Sequence, residues 1–195
     1  MEKGNTKNIE KLKKAAIELF QLYGYPNVTV NQICKHAEVA RSSFYSIFKG
    51  KDELIISIYT MHLTQSEPLM SSFALQRNDL ERLWLLYDYY ISLAMEPGYA
   101  VTAAMISIEL NRNIGIYDHM MQSRKWSVPL CKNCQEQGII RNRTTAEELI
   151  PMVSTCLNNM VYEWCRLRGD YPLRENARKA VECLLDVAPN YRKFT

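Results

Sequence analysis

Between Arg41 and Lys49 lies a set of side chains suited to contact with a polyanion. In the run Arg41 to Lys49, apolar Phe44, Ile47 and Phe48 recur at helical spacing and leave Arg41, Ser42, Tyr45 and Lys49 together on the other side. Arg41 can donate to a guanine edge or to a phosphate, Tyr45 offers a hydroxyl and a flat apolar face, and Lys49 can neutralise a phosphate. The short Ser42 and Ser43 permit close approach. A helix with its side chains is about 10–12 Å across, close to the width of the B-DNA major groove, so such a face can enter it. Just beyond, Lys51 and the amides that open the next helix form a second anion site.

Two other clusters carry chemistry. Trp84, Tyr87, Asp88 and Tyr90 bring aromatic rings and one acid into a single segment, and Met105 and Met121 add adaptable apolar surface. Such a lining suits a flat or cationic lipophilic small molecule through stacking and cation–π contact; the plainer alternative is an aromatic core with Asp88 facing solvent. Cys131-x-x-Cys134 places two thiols one helical turn apart, the spacing for a shared zinc ion or a reversible disulfide, against the alternative of structural cysteines. No second CxxC accompanies it, and His36, His62 and His119 are scattered. With no Gly-rich phosphate loop and no paired-carboxylate motif, the sequence predicts no catalytic residues, no resident metal and no cofactor.

The elements that position these residues are helices. Only seven Gly and seven Pro interrupt 195 residues, apolar positions recur at three and four throughout, and no alternating run is long enough for a strand. Ile9, Leu12, Ala16, Leu19, Phe20 and Tyr23 make the stripe of a first helix that stops at Gly24. Thr29-Val30-Asn31-Gln32 reads as a capping box opening a second helix, with Ile33, Cys34 and Ala37 on its apolar face. The third is the Arg41 segment, and Gly50 caps a fourth whose Asp52 and Glu53 suit the positive end of a helix dipole. Further starts fall near Asn78, Pro97 and Tyr117, at a second capping box Thr145 to Glu148, and at Pro172, about nine helices in all. The expected fold is all-α: a three-helix helix-turn-helix domain over residues 1–52 and a larger helical domain over 53–195.

Composition agrees with that division of labour. Residues 1–60 hold nine Lys and Arg against six Asp and Glu, whereas residues 61–195 hold fifteen of each, so the whole net charge of +3 lies in the first segment. No stretch approaches the roughly 18 uncharged apolar residues of a membrane span, and the first fourteen residues are too polar for a signal peptide. Six cysteines set within apolar helical patterns fit a reducing compartment. The expected location is cytoplasmic, with no membrane partner.

Residues Lys11 to Leu54 resemble the N-terminal domain of the TetR family of repressors. The resemblance rests on Ala16, Leu19 and Phe20 before Gly24, on Thr29 and Ile33, on Ala37 and Val39 about the turn, and on the Phe44-Tyr45, Phe48, Lys51, Leu54 string. It implies that Thr29 and Lys51 contact phosphates, that Tyr45 contacts a phosphate or a base edge, and that Arg41, Ser42 and Ser43 enter the groove. It implies a homodimer on a palindromic double-stranded DNA operator, released by a small-molecule effector, aromatic or lipophilic, held in the second domain. Glu38 stands where the family usually has a turn Gly, and Ala40 where a Ser or Thr cap is common. The resemblance also implies that the last two helices form the dimer, for which Val153, Leu157, Met160 and Trp164 on one and Val181 and Leu184 on the other supply apolar stripes. A thiol- or metal-sensing or redox protein using Cys131 and Cys134 is the alternative from another class.

Overall fold

Helix boundaries in the computed structural model follow the local signals closely. It describes residues 2–63 and 78–193 and, within these, all side chains but those of 2–4, 61–63 and 116–123. Nine α-helices are found among them: α1 (Glu2–Tyr23), α2 (Val30–Ala37), α3 (Arg41–Ile47), α4 (Lys51–Leu63), α5 (Asp79–Met95), α6 (Tyr99–Arg112), α7 (Ile116–Glu136), α8 (Ala146–Arg166) and α9 (Leu173–Leu184). The fold is all-α; an isolated antiparallel bridge joins Ile140 to Val187.

Gly24 ends α1 at φ 77°, and its amide donates to the Phe20 carbonyl at 2.9 Å. Thr29 caps α2 through both arms of the box: its hydroxyl accepts from the Gln32 amide at 3.2 Å, and the Gln32 side chain accepts from the Thr29 amide at 2.7 Å. The second box does not form. Thr145 precedes α8 but its hydroxyl donates to the Glu148 carboxylate at 2.6 Å and accepts from no helix amide. A carboxylate three residues on is a stronger acceptor than the hydroxyl is for an amide, so the side chains pair with each other instead.

The turn between α2 and α3 carries the two predicted weaknesses. Glu38 holds φ 53° and ψ 43°, a left-handed conformation that costs a non-Gly residue about 1–2 kcal/mol. Ala40 occupies the N-cap of α3 with φ −61° and ψ 141° and has no side-chain acceptor to offer. That backbone already suits a capping hydroxyl, so Ala40→Ser is expected to stabilise the chain by about 1 kcal/mol. Urea unfolding measures it; an unchanged midpoint would show that α3 gains nothing from a cap.

The chain divides into two compact units. The first takes Met1–Gln65 and Leu93–Ile114, that is α1 to α4 with α6. The expected boundary after residue 52 therefore falls within continuous α4. Leu12, Ala16 and Phe20 of α1, Ile33 of α2, Phe44 of α3 and Leu54, Ile55 and Ile58 of α4 are all 0% exposed. Each large side chain so buried contributes roughly 1.5–3 kcal/mol. Tyr23, assigned to the α1 stripe, is exposed, because the helix ends beside it and no neighbour covers that position. Lys13 of α1 donates to the Ser57 carbonyl of α4 at 2.8 Å.

The second unit takes Ser66–Ser92 and Gly115–Thr195. α8 packs between α7 and α9. Of the six residues expected at the dimer, four face the chain's own core. Val153, Leu157, Trp164 and Val181 are buried within the single chain, and Met160 and Leu184 are half-buried. An amphipathic stripe turns its most apolar side to its own core first, because that burial comes without the entropy of association. The outward face of α8 instead presents Met152, Thr155, Asn159 and Tyr162. α9 is fixed to α5 by Arg178, whose guanidinium donates to Glu182 at 2.6 Å and Glu81 at 2.9 Å and lies 4.8 Å from the Trp84 ring centre.

Candidate nucleic-acid interface

The outward face of α3 is built by its own inward one. Phe44 and Phe48 are buried and pack against each other with ring centres 5.6 Å apart and planes tilted by 53°, which fixes the rotation of a helix only seven residues long. Ile47 is only half-buried. That rotation leaves Arg41, Ser42, Tyr45, Ser46 and Lys49 exposed, and Ser43 half-buried at the edge. Ser46 is the member of this face that sequence reading misses; its place four residues after Ser42 is the available signal. The Arg41 guanidinium lies over the Tyr45 ring, 5.5 Å from its centre and within cation–π reach. Among the described residues neither Arg41 nor Lys49 forms a salt bridge with a carboxylate.

At the start of α4 the structure adds a network that sequence reading does not supply. Lys51 Nζ donates to the carbonyls of Tyr25 at 2.9 Å and Val28 at 2.6 Å and sits 4.4 Å from the Tyr25 ring centre. Partial burial lowers its pKa below the ordinary lysine value, with the Asp52 carboxylate acting in the opposite sense. The Tyr25 hydroxyl donates to Asp52, and Arg112 at the end of α6 donates to the other Asp52 oxygen at 3.2 Å. Burial first and the Asp52 carboxylate second raise the Tyr25 phenol well above its usual range, keeping it a donor. Glu53 accepts from the Lys49 amide, so part of the positive end of α4 is already answered from within. An ammonium has three N–H donors; with two on carbonyls, Lys51 retains one for an external acceptor. Thr29 Oγ1 is exposed and engaged in its capping box.

The aromatic cluster of the second unit is largely satisfied internally. Asp88 pairs with Arg174 at 3.1 Å, Tyr90 donates to Asn158 at 2.7 Å, and one face of Trp84 meets Arg178. Tyr87 is buried. Met105 is buried too, but in the first unit, and the Met121 side chain lies outside the described residues. Cys131 and Cys134 are both 0% exposed. Burial pushes their thiols up to about 11 and about 12, with Glu147 acting on the first and Asp79 on the second. The thiolate is the reactive and metal-binding form, and burial disfavours it. Among the described residues no three His, Cys, Asp or Glu side chains group as metal ligands, and no single helix is long and apolar enough to cross a membrane.

Residues 12–58 match the family model described as bacterial regulatory proteins, tetR family. The chain is 27% identical over 135 residues to the "Uncharacterized HTH-type transcriptional regulator TtgW" of Pseudomonas putida, covering 69% of this chain and 81% of that one. Its fold is similar to that of the fatty acid degradation regulator FadR from Bacillus halodurans, with a TM-score of 0.68 at 19% identity over 91% of this chain and 94% of that one. The FadR of Bacillus subtilis, solved in complex with stearoyl-CoA, superposes with a TM-score of 0.64 at 19% identity over 90% and 97% of the two chains.

Proposed function

We propose that this chain, whose residues 12–58 match the tetR family model, is a homodimeric, cytoplasmic transcriptional repressor released from a palindromic operator by a lipophilic effector. The observation that carries this reading is the outward face of α3. Arg41, Ser42, Tyr45 and Ser46 stand exposed on α3 and Lys49 just beyond its end, opposite the buried Phe44 and Phe48, and no carboxylate among the described residues forms a salt bridge with Arg41 or Lys49. A face of that kind is left unpaired where a polyanion is to complete it.

In this reading Arg41, Ser42 and Ser43 enter the major groove with Tyr45, and Thr29, Lys49 and Lys51 meet phosphates, Lys51 through its third N–H. Two copies pair through the outward faces of α8 and α9, and the two α3 helices sit about 34–36 Å apart, one turn of DNA. The helical body of residues 53–195 holds the effector. The acyl-CoA bound by a protein of the same fold supports an apolar ligand with a polar head. Coupling runs along Arg112, Asp52, Tyr25 and Lys51: a ligand that moves the end of α6 moves a carboxylate at the start of α4, and with it the ammonium near the DNA backbone. The effector shifts DNA affinity only by the ratio of its affinities for the two conformers.

The test is selection of bound sequences from a random duplex pool at about 150 mM salt, where purely electrostatic binding is already weak. A palindrome with half-sites one turn apart is the expected product. Recovery of no consensus from folded dimer would overturn the operator reading.

A further inference from the structure

Helix α5 is rich in polar side chains, and their partners come from the chain itself. Asp88 has Arg174, the Ser92 hydroxyl accepts from Arg174 at 2.5 Å, Tyr90 has Asn158, and Glu81 has Arg178. Tyr87 is the exception. It is only 6% exposed, and among the described residues its hydroxyl is the buried side-chain oxygen or nitrogen without a hydrogen-bond partner. A phenylalanine would fill the same volume without a desolvated hydroxyl, so the unpartnered oxygen works against the stability of the free protein.

We propose that Tyr87 Oη is the polar anchor of a ligand site inside the second unit, donating a hydrogen bond to the neutral carbonyl oxygen of a lipophilic ketone, ester or thioester. This rests on the reading of the helical body as the effector-binding part. The choice of a neutral group follows from the surroundings. Cys131, fully buried on α7, is a thiol and a weak dipole at most. The cations that reach α5 from α9 are already committed, Arg174 to Asp88 and Arg178 to Glu81 and Glu182. A carboxylate entering there would be desolvated and would find both α9 cations already paired, whereas a carbonyl asks for one donor. Burial raises both the Tyr87 phenol and the Cys131 thiol, so both stay protonated near neutral pH and the phenol keeps its proton to give.

The experiment is calorimetric titration of the full chain with three probes of equal carbon number: a methyl alkyl ketone, the alkane and the fatty acid anion. The wild type is expected to bind the ketone roughly five- to tenfold more tightly than the alkane, and more tightly than the anion. Tyr87→Phe is expected to bind ketone and alkane alike and to melt no lower than the wild type without ligand. Equal response of the wild type to ketone and alkane, including none to either, overturns the proposal. So does a ketone preference that survives Tyr87→Phe, or tighter binding of the anion. If Tyr87→Phe fails to fold, the wild-type ranking of the three probes still decides. The titration uses no DNA, so loss of the operator reading in the duplex selection leaves this result standing, and the reverse holds too.

Discussion

Arg178→Met is expected to lower the unfolding free energy by about 3–5 kcal/mol, the largest single loss outside the apolar core. The guanidinium and the Glu182 carboxylate it serves have side chains 5% and 4% exposed, and the same cation also reaches Glu81 and covers the Trp84 ring. Methionine replaces much of the volume but not the charge, so a Glu182 carboxylate only 4% exposed loses the Arg178 cation, while the Lys193 amide still donates to it at 3.0 Å. The cost comes from withdrawing a cation from a buried acid rather than from the worth of the pair. The double variant Arg178→Met with Glu182→Leu should therefore recover most of the loss, because an apolar pair of similar volume needs no compensation. Urea denaturation of the wild type and the two variants checks this; a double variant as unstable as the single one would show that the packing over Trp84, not the charge, holds α9 to α5.

Arg41→Ala is expected to weaken operator binding by about 1–3 kcal/mol and to relax the preference at one base position. Tyr45→Ala should cost a similar amount, and the two losses should fall short of additive. Each side chain stiffens the other through the stack at 5.5 Å, so removing either frees its partner and part of the second loss is already taken with the first. The measurement is a double-mutant cycle on the selected duplex, with an unrelated duplex as control. Equal losses on both duplexes would assign these residues to phosphates, and strict additivity would mean that the stack has no part in recognition.

Much of the first unit is legible without coordinates. Gly24, Thr29 with Gln32, Gly50 and the pairing of Phe44 with Phe48 are local signals, each satisfied within a few residues, and each appears where its spacing places it. The left-handed Glu38 and the uncapped Ala40 are legible for the same reason. The failures share a cause as well. The Thr145 hydroxyl donates to the Glu148 carboxylate instead of accepting from a helix amide, and the apolar stripes of α8 and α9 have two possible destinations that periodicity treats alike.

Side chains within about one turn of each other along the chain are enough to settle the helices, their faces, the concentration of positive charge in the first segment and the outward set on α3. Packing over longer range settles the rest: which stripe faces the chain's own core, that Lys51 reaches the carbonyls of Tyr25 and Val28, that Asp52 joins Arg112, and that Arg178 meets Glu81 from 97 residues away. It also leaves Tyr87 without a partner while satisfying the polar groups around it. Such pairings depend on how helices distant in sequence lie side by side, and a donor's need for an acceptor carries no information about which distant segment will supply one.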